Sequence, residues 1–157
     1  MKQIKHKINY KLLSKALGIS EELSIQFLND GRIMGRLGEF ILQENGIGNR
    51  SENENTPYDN ITTDGKKIEV RSITDKVSFA SSKEVGFGRT VTEEGFKTKL
   101  DSLDYYMCID FDNKNEIKFI PITKTDIDRM IKDGILGKNK SVSKKKFMEY
   151  VNSNGII

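Results

Sequence analysis

The sequence of 157 residues has the size of one folded domain, and its hydrophobic residues, 36% of the total, fall in periodic runs that exclude a disordered chain. The single cysteine excludes an internal disulfide, and the single histidine excludes a zinc site or a nuclease built on several histidines. The sequence has no membrane-spanning apolar run and no secretory signal, which favours a cytoplasmic protein without membrane contact. The net charge is only +3, but basic residues concentrate in residues 1–15 and 129–147, which is typical either of a nucleic-acid-binding surface or of solvated, lysine-rich segments.

Helices are predicted in the first third of the chain. One ends at Gly18, a second begins after the capping residue Ser20, and a third ends at Gly46. The third helix is expected to bury one apolar face, formed by Ile33, Met34, Leu37, Phe40 and Ile41. Glu39 lies nearly opposite that face, where an ordinary pair with Arg36 explains it best, although the same face is also suited to line an active cleft.

The middle of the chain changes to the two-residue period of strands. The segments YDNIT and KKIEVRSI predict a hairpin, VSFAS predicts a third strand, and a helix carrying Phe96, Leu100 and Leu103 follows. The segments YYMCIDF and EIKFIPI predict two further strands, with short helices after Thr125 and Ser143. We therefore expect a mixed α/β fold, with a central mixed sheet flanked by helices, in one domain of residues 1–157: a helical segment 8–31, a core of about 32–122 and basic helices in 123–157.

The predicted hairpin brings two acidic residues together. A three-residue loop ending in a left-handed Gly65 is a common hairpin turn, and in its register Asp59 falls opposite Glu69 with Cβ atoms ~5 Å apart. Two opposed carboxylates destabilise a sheet unless a cation lies between them, and oxygen ligands suit a divalent ion. A two-residue loop would instead place Asp59 on the other face. A solvated, charged hairpin is the alternative explanation.

Strand alternation places Lys67 and Arg71 on the same face as Glu69. A metal-binding carboxylate pair with cations beside it suits phosphodiester hydrolysis, because the metal activates water and the cations stabilise the charged transition state. Arg71 cannot accept a proton, but it can orient a water molecule or offset phosphate charge, and Lys67 is a candidate for the lysine role. A salt bridge between Arg71 and Glu69 or Asp59 explains Arg71 equally well.

This pattern resembles the PD-(D/E)XK nuclease superfamily, whose members carry Pro-Asp, a spacer, and then acid-any-Lys on the next strand. Here the elements read Pro57-Tyr58-Asp59 and Glu69-Val70-Arg71, so one residue is inserted in the first and arginine replaces lysine in the second. The segment RLGEFIL resembles the helix before the motif and would contribute Glu39. The order α-β-β-β-α-β over residues 32–111 also matches the restriction-endonuclease-like core.

The resemblance is greatest to a small type II restriction endonuclease. It implies a homodimer that uses Mg²⁺, or Mn²⁺ in its place, to cut double-stranded DNA at a short palindromic site, alongside a separate DNA methyltransferase. Further contacts to DNA are expected from the segment before the second core helix and from that helix, namely from Lys83, Gly86, Gly88, Arg89 and Lys97. A Holliday-junction resolvase of the same fold, a non-catalytic DNA-binding domain and a general interaction module remain alternatives.

Overall fold

A computed structural model describes residues 4–53, 56–80, 91–113 and 116–156. The described residues form both helices and strands in a mixed α/β arrangement, which confirms the predicted class. The helices are α1 (Tyr10–Leu17), α2 (Glu21–Leu28), α3 (Gly31–Glu44), α4 (Glu93–Asp101), α5 (Lys124–Lys132) and α6 (Lys144–Ser153). The strands are β1 (Ile4–Lys7), β2 (Asn49–Arg50), β3 (Asn60–Ile61), β4 (Lys67–Ile73), β5 (Lys76–Ser78), β6 (Tyr105–Asn113), β7 (Glu116–Thr123) and β8 (Ser141–Ser143).

Six strands form one mixed sheet in the order β1-β7-β6-β4-β3-β2. The pair β4 and β6 is parallel, and the other neighbours are antiparallel. The predicted third strand of the core is found as β5, but it pairs with β8 in a separate two-stranded sheet. The observed order from α3 to β6 is α-β-β-β-β-α-β, which has one strand more than expected, the short β2, and β5 does not extend the central sheet.

Each face of the central sheet is covered by its own set of helices. Met107 and Ile109 of β6 pack with the side of the sheet that α1, α2 and α3 cover. Tyr106 and Cys108 of the same strand contact the cluster formed with α4, α5 and α6. This alternation along β6 follows directly from the two-residue period of a strand. No described helix has both the length and the apolar character needed to cross a membrane.

The predicted helix boundaries agree with local capping. Gly18 ends α1 in the left-handed conformation with φ 66°, and the Ser20 side chain accepts a hydrogen bond from Leu23 N–H at the start of α2. For α4 the N-cap is Thr92, whose side chain accepts a hydrogen bond from Gly95 N–H.

Helix α3 lies unusually close to the sheet at Gly38. A Cβ atom at this position would lie 2.0 Å from Ile109 Cδ1 and 3.3 Å from Val70 Cγ1, so only glycine permits this approach. The expected buried face was wrong at Phe40, which is 46% exposed, because the buried face of α3 also includes Gly38 and Leu42 and leaves Phe40 on the other side. The guanidinium of Arg50 lies 4.5 Å above the Phe40 ring. This orientation of α3 brings Glu39 to the edge of the sheet beside Asp59.

Candidate active site

The hairpin between β3 and β4 has the turn and register expected from its sequence. Gly65 is left-handed with φ 82°, and Thr62 N–H donates to Lys66 C=O at 2.9 Å. Asn60 pairs with Ile68 and Ile61 pairs with Lys67. The pairing ends at Asn60 and Ile68, the neighbours of Asp59 and Glu69, and Asp59 N–H also donates to Ile68 C=O, so the ladder is irregular at Asp59. Asp59 and Glu69 nevertheless line the same cavity.

The Asp59 carboxylate is held by the backbone of β4. Asp59 N–H donates to Ile68 C=O at 2.9 Å, and Asp59 Oδ2 accepts a hydrogen bond from Val70 N–H at 2.7 Å. The other carboxylate oxygen, Oδ1, makes no hydrogen bond within the described ranges. One oxygen of Asp59 is therefore fixed and the other remains available to a ligand.

Glu69 is buried and lies between two cations. Arg71 Nη2 is 2.7 Å from Glu69 Oε1, and Lys99 Nζ is 2.8 Å from Glu69 Oε2. Burial raises the pKa of Glu69, with a further increase from the charge of Asp59, while Arg71 and Lys99 act in the opposite direction. The salt bridge between Arg71 and Glu69, one of the two explanations for Arg71, is present.

Lys99 is the main residue of the site that the sequence did not identify. It lies on α4, and its ammonium donates both to Glu69 and to Pro57 C=O, at 2.5 Å, in the segment before Asp59. Lys97, which was expected to contact DNA, is exposed on the same helix. The helical period gives the signal that distinguishes them, since Lys99 lies three residues after Phe96 and beside Leu100, at the edge of the buried face.

Glu39 makes the pair with Arg36 that its spacing predicts, at 3.0 Å, and a second pair with Arg50 at 2.9 Å. Burial raises the pKa of Glu39, and the negative charge of Asp59 raises it further, against the opposing effect of the two arginines. The carboxylates of Glu39, Asp59 and Glu69 are therefore electrostatically coupled. Arg50 belongs to the two-residue strand β2, which is not among the strands predicted from the sequence.

Two adjoining cavities open at this position. The carboxylate cleft has a volume of about 700 Å³ and is lined by residues that include Glu69 and Arg71. The polar pocket has a volume of about 760 Å³ and is lined by side chains of α3, β2 and the segment before β3. Both cavities are lined by Arg36, Glu39 and Asp59. The three shared residues make the two cavities parts of one polar groove.

Lys67, the candidate for the lysine role, lies outside the groove. The Lys67 ammonium is 5.7 Å from the centre of the Tyr58 ring, and Lys67 lines neither cavity. It pairs with no acid within the parts of the chain that the structure describes. The four expected DNA contacts in the segment before α4 lie outside the described residues, namely Lys83, Gly86, Gly88 and Arg89.

The carboxylate oxygens of the groove are the possible ligands of a divalent metal ion. Within residues 4–53, 56–80, 91–113 and 116–156, no group of three His, Cys, Asp or Glu side chains has metal-binding geometry. Mg²⁺ commonly takes only one or two carboxylates and completes its coordination with water and phosphate oxygens. Asp59 Oδ1 and one oxygen of Glu69 would meet that requirement if the metal replaced Arg71 or Lys99 beside Glu69. The donor chemistry therefore suits Mg²⁺.

Comparison with protein-family models, with curated proteins and with solved structures finds no match to this chain. The chemistry of the groove is therefore what indicates a function.

Proposed function

We propose that the chain is a Mg²⁺-dependent endonuclease that hydrolyses phosphodiester bonds of double-stranded DNA at a short specific site. The observation that carries the proposal is the convergence of three carboxylates and several cations in one solvent-accessible groove. Glu39 and Asp59 line both cavities, and Glu69 and Arg71 line the carboxylate cleft. Lys99 contacts Glu69 from α4. Metal-binding carboxylates beside fixed cations are the groups that phosphodiester hydrolysis requires.

Asp59 and Glu69 would hold the metal. When bound, Mg²⁺ would supply Lewis-acid activation of the phosphate and of a water molecule. The Val70 N–H fixes the Asp59 carboxylate, so that Oδ1 is held in place for this role. The Arg71 guanidinium would stabilise negative charge on the reacting phosphate, and its buried Nε has no hydrogen-bond partner in the described chain.

The polar pocket would accommodate the strand that leads to the scissile phosphate. Arg36 and Arg50 offer guanidinium groups for phosphate oxygens, and both are held in place by Glu39. The amides of Gln43 and Asn49 line the same pocket and can donate to and accept from base edges. Guanidinium groups beside amide side chains are suited to bind a nucleic-acid strand and to distinguish its bases.

A second candidate is a DNA-binding protein of the same fold that does not cleave. The observation that favours it is the double ion pair of Glu69, which occupies both oxygens of a proposed metal ligand. A protein of this kind would bind DNA in a salt-dependent manner and would leave it intact with Mg²⁺ or Mn²⁺.

The decisive experiment incubates the purified chain with plasmid and phage DNA in Mg²⁺, in Mn²⁺ and in EDTA. We expect discrete fragments that require the metal and that disappear in Asp59→Asn and Glu69→Gln. Glu94→Gln is the matched control, because Glu94 is an exposed acid of α4 that lines neither cavity, and it should cut normally. Binding without cleavage by the wild type would establish the second candidate. Cleavage of branched DNA alone would indicate a junction resolvase.

A further inference from the structure

A polar side chain occupies a core position behind the polar pocket. Asn60 of β3 is fully buried, and its cross-strand partner Ile68 belongs to the apolar cluster beneath α3. Burying an amide costs free energy unless hydrogen bonds compensate for it, and Asn60 Oδ1 has no partner among the described residues. An amide that is retained in the core while only partly paired is explained by what its nitrogen holds together.

The Asn60 amide nitrogen joins the three segments that build the polar pocket. Nδ2 donates to Glu39 C=O on α3 at 3.1 Å and to Gly48 C=O at 3.3 Å. Glu39 lines the pocket, and so does Arg50, which follows Gly48 by two residues. Asp59, which precedes Asn60, lines it as well. One buried side chain thus fixes the spacing between α3, the start of β2 and β3.

The chain before β2 lies close against β3 beside this amide. A Cβ atom at Gly48 would lie 2.9 Å from the carbonyl oxygen of Ile61 and 3.2 Å from Thr62 N, which are backbone atoms. Only glycine permits this approach, which lets the Gly48 carbonyl reach the amide of Asn60. We call these hydrogen bonds of Asn60 to the carbonyls of Glu39 and Gly48 the Asn60 joint.

The Asn60 joint determines where the Arg50 guanidinium lies. Arg50 Nε donates to Glu39 Oε2 at 2.9 Å, and the Arg50 side chain is 22% exposed. This contact requires that β2 and α3 keep their spacing, because the two residues belong to different segments. The other cation of Glu39, Arg36, lies on α3 itself at a spacing of one helical turn, so its pair does not depend on the joint.

We infer that Asn60 is a positioning residue, which holds the Arg50 guanidinium in place for a phosphate oxygen of the substrate. The inference rests on the proposed function, because it assigns to Arg50 a phosphate of the bound DNA strand. The proposed metal ligands Asp59 and Glu69 are held by other contacts, to β4 for the first and to Arg71 and α4 for the second. Loss of the joint should therefore weaken DNA binding and leave metal binding intact.

Two variants disturb the joint from opposite sides. Asn60→Leu removes the amide and keeps a branched side chain of similar length, and Gly48→Ala separates β2 from β3. Two-dimensional NMR follows Arg50 Nε–H, because an N–H that donates to a half-buried carboxylate exchanges slowly with water, and Arg50→Lys assigns the signal. Both variants should lose the slow exchange. Leu42→Ala is the matched control, because it removes buried packing on α3 from the same cluster and should keep the signal despite its lower stability.

Binding and kinetics separate positioning from a structural role. In EDTA, both variants should raise the dissociation constant of a fluorescent DNA duplex about tenfold and reduce the slope of its salt dependence by about one, as expected for one lost phosphate contact. Binding of Mn²⁺ without DNA should match the wild type. In Mg²⁺, KM should rise while kcat is largely kept. Leu42→Ala should change none of these properties.

Several outcomes would overturn the inference. One is a slow Nε–H signal and wild-type DNA affinity in both variants, and another is the joint loss of DNA and Mn²⁺ binding, which would show a general collapse of the groove. Failure of both variants to fold, checked by circular dichroism, while Leu42→Ala folds would also overturn it, since Asn60 would then be structural alone. If one variant folds, that variant decides. A wild type that binds no DNA would overturn the proposed function instead, and the Nε–H signal would still show whether the joint holds Arg50.

Discussion

Lys99→Met tests the buried ion-pair cluster at the centre of the proposed site. The substitution keeps an unbranched side chain of similar length and removes only the ammonium group. The side chains of Lys99 and Glu69 are each 9% exposed, and the ammonium is 2.8 Å from Glu69 Oε2 and 2.5 Å from Pro57 C=O. Methionine therefore leaves a buried carboxylate with one cation and a carbonyl without its donor.

The structure bounds the size of the effect. Removing one partner of a buried ion pair typically costs about 3–5 kcal/mol of unfolding free energy. Arg71 still pairs with Glu69 at 2.7 Å, and the raised pKa of Glu69 eases its protonation, so we expect about 2–3 kcal/mol. Lys97→Met makes the same chemical change on the exposed side of α4 and should stay within about 0.5 kcal/mol.

Equilibrium unfolding in urea with EDTA, followed by circular dichroism, measures both variants. A second readout is the binding of Mn²⁺ without DNA, measured by electron paramagnetic resonance. Because Lys99 holds an oxygen of a proposed metal ligand, Lys99→Met should bind Mn²⁺ more tightly even as it loses stability and cleavage. If Lys99→Met were as stable as Lys97→Met, the buried contact with Glu69 would be refuted.

Three further predictions concern the packing and titration of the site. Gly38→Ala should destabilise the fold by about 1–2 kcal/mol, although alanine has the better helix propensity, because the added Cβ would lie 2.0 Å from Ile109 Cδ1. The control Gly35→Ala should stabilise the fold, because a Cβ at that position has no neighbour within 4 Å. Equal urea midpoints for the two variants would contradict the close approach of α3. The pKa of Glu39 is raised in the folded chain, so the folded chain binds more protons than the unfolded chain at pH values just above the ordinary pKa of 4.5. The stability of the wild type relative to Glu39→Gln should therefore fall as the pH rises above 4.5. A difference in urea midpoints that stays constant with pH would contradict this prediction. Burial raises the pKa of the Cys108 thiol far above its ordinary value, so a disulfide reagent should modify it only after unfolding, and rapid modification of the native chain would contradict its burial.

Local chemistry made the hairpin predictable from the sequence. The turn needs a left-handed residue at its third loop position, Gly65 supplies it, and the register of β3 and β4 follows. The ends of α1 and α2 were predictable for a similar reason, because Gly18 and Ser20 act on backbone groups within a few residues. The relative positions of Asp59 and Glu69 depend only on this short-range information.

Contacts between distant segments were not predictable in the same way. Lys99 reaches Glu69 across thirty positions of sequence, and Arg50 reaches Glu39 only because β2 joins the edge of the sheet. The pairing of β5 with β8 likewise joins segments that carry no local signal for each other. Alternation along β4 showed which side chains share a face, but not that α4 would cover the face carrying Glu69.

The charges of the groove predict that DNA binding does not require the metal, whereas cleavage does. Glu39 and Glu69 each lie between two cations, so Arg36, Arg50, Arg71 and Lys99 face three carboxylates, counting Asp59. The other charged residues that line the two cavities cancel, because Asp30 and Glu52 are matched by Arg32 and Lys76. Together these groups carry one more positive than negative charge before any metal binds. This excess of positive charge should attract phosphate in EDTA, with an affinity that falls as salt increases.

Glu69→Gln tests that separation directly, since it removes one negative charge and one metal ligand together. We expect it to bind a fluorescent DNA duplex in EDTA at least as tightly as the wild type, and to lose cleavage in Mg²⁺. Glu94→Gln removes the same charge from the exposed surface of α4, outside both cavities, and should alter neither property appreciably. If Glu69→Gln weakened binding in EDTA, Glu69 would be needed to hold Arg71 and Lys99 in place for the phosphate, and the cluster would be a preformed anion site more than a metal site.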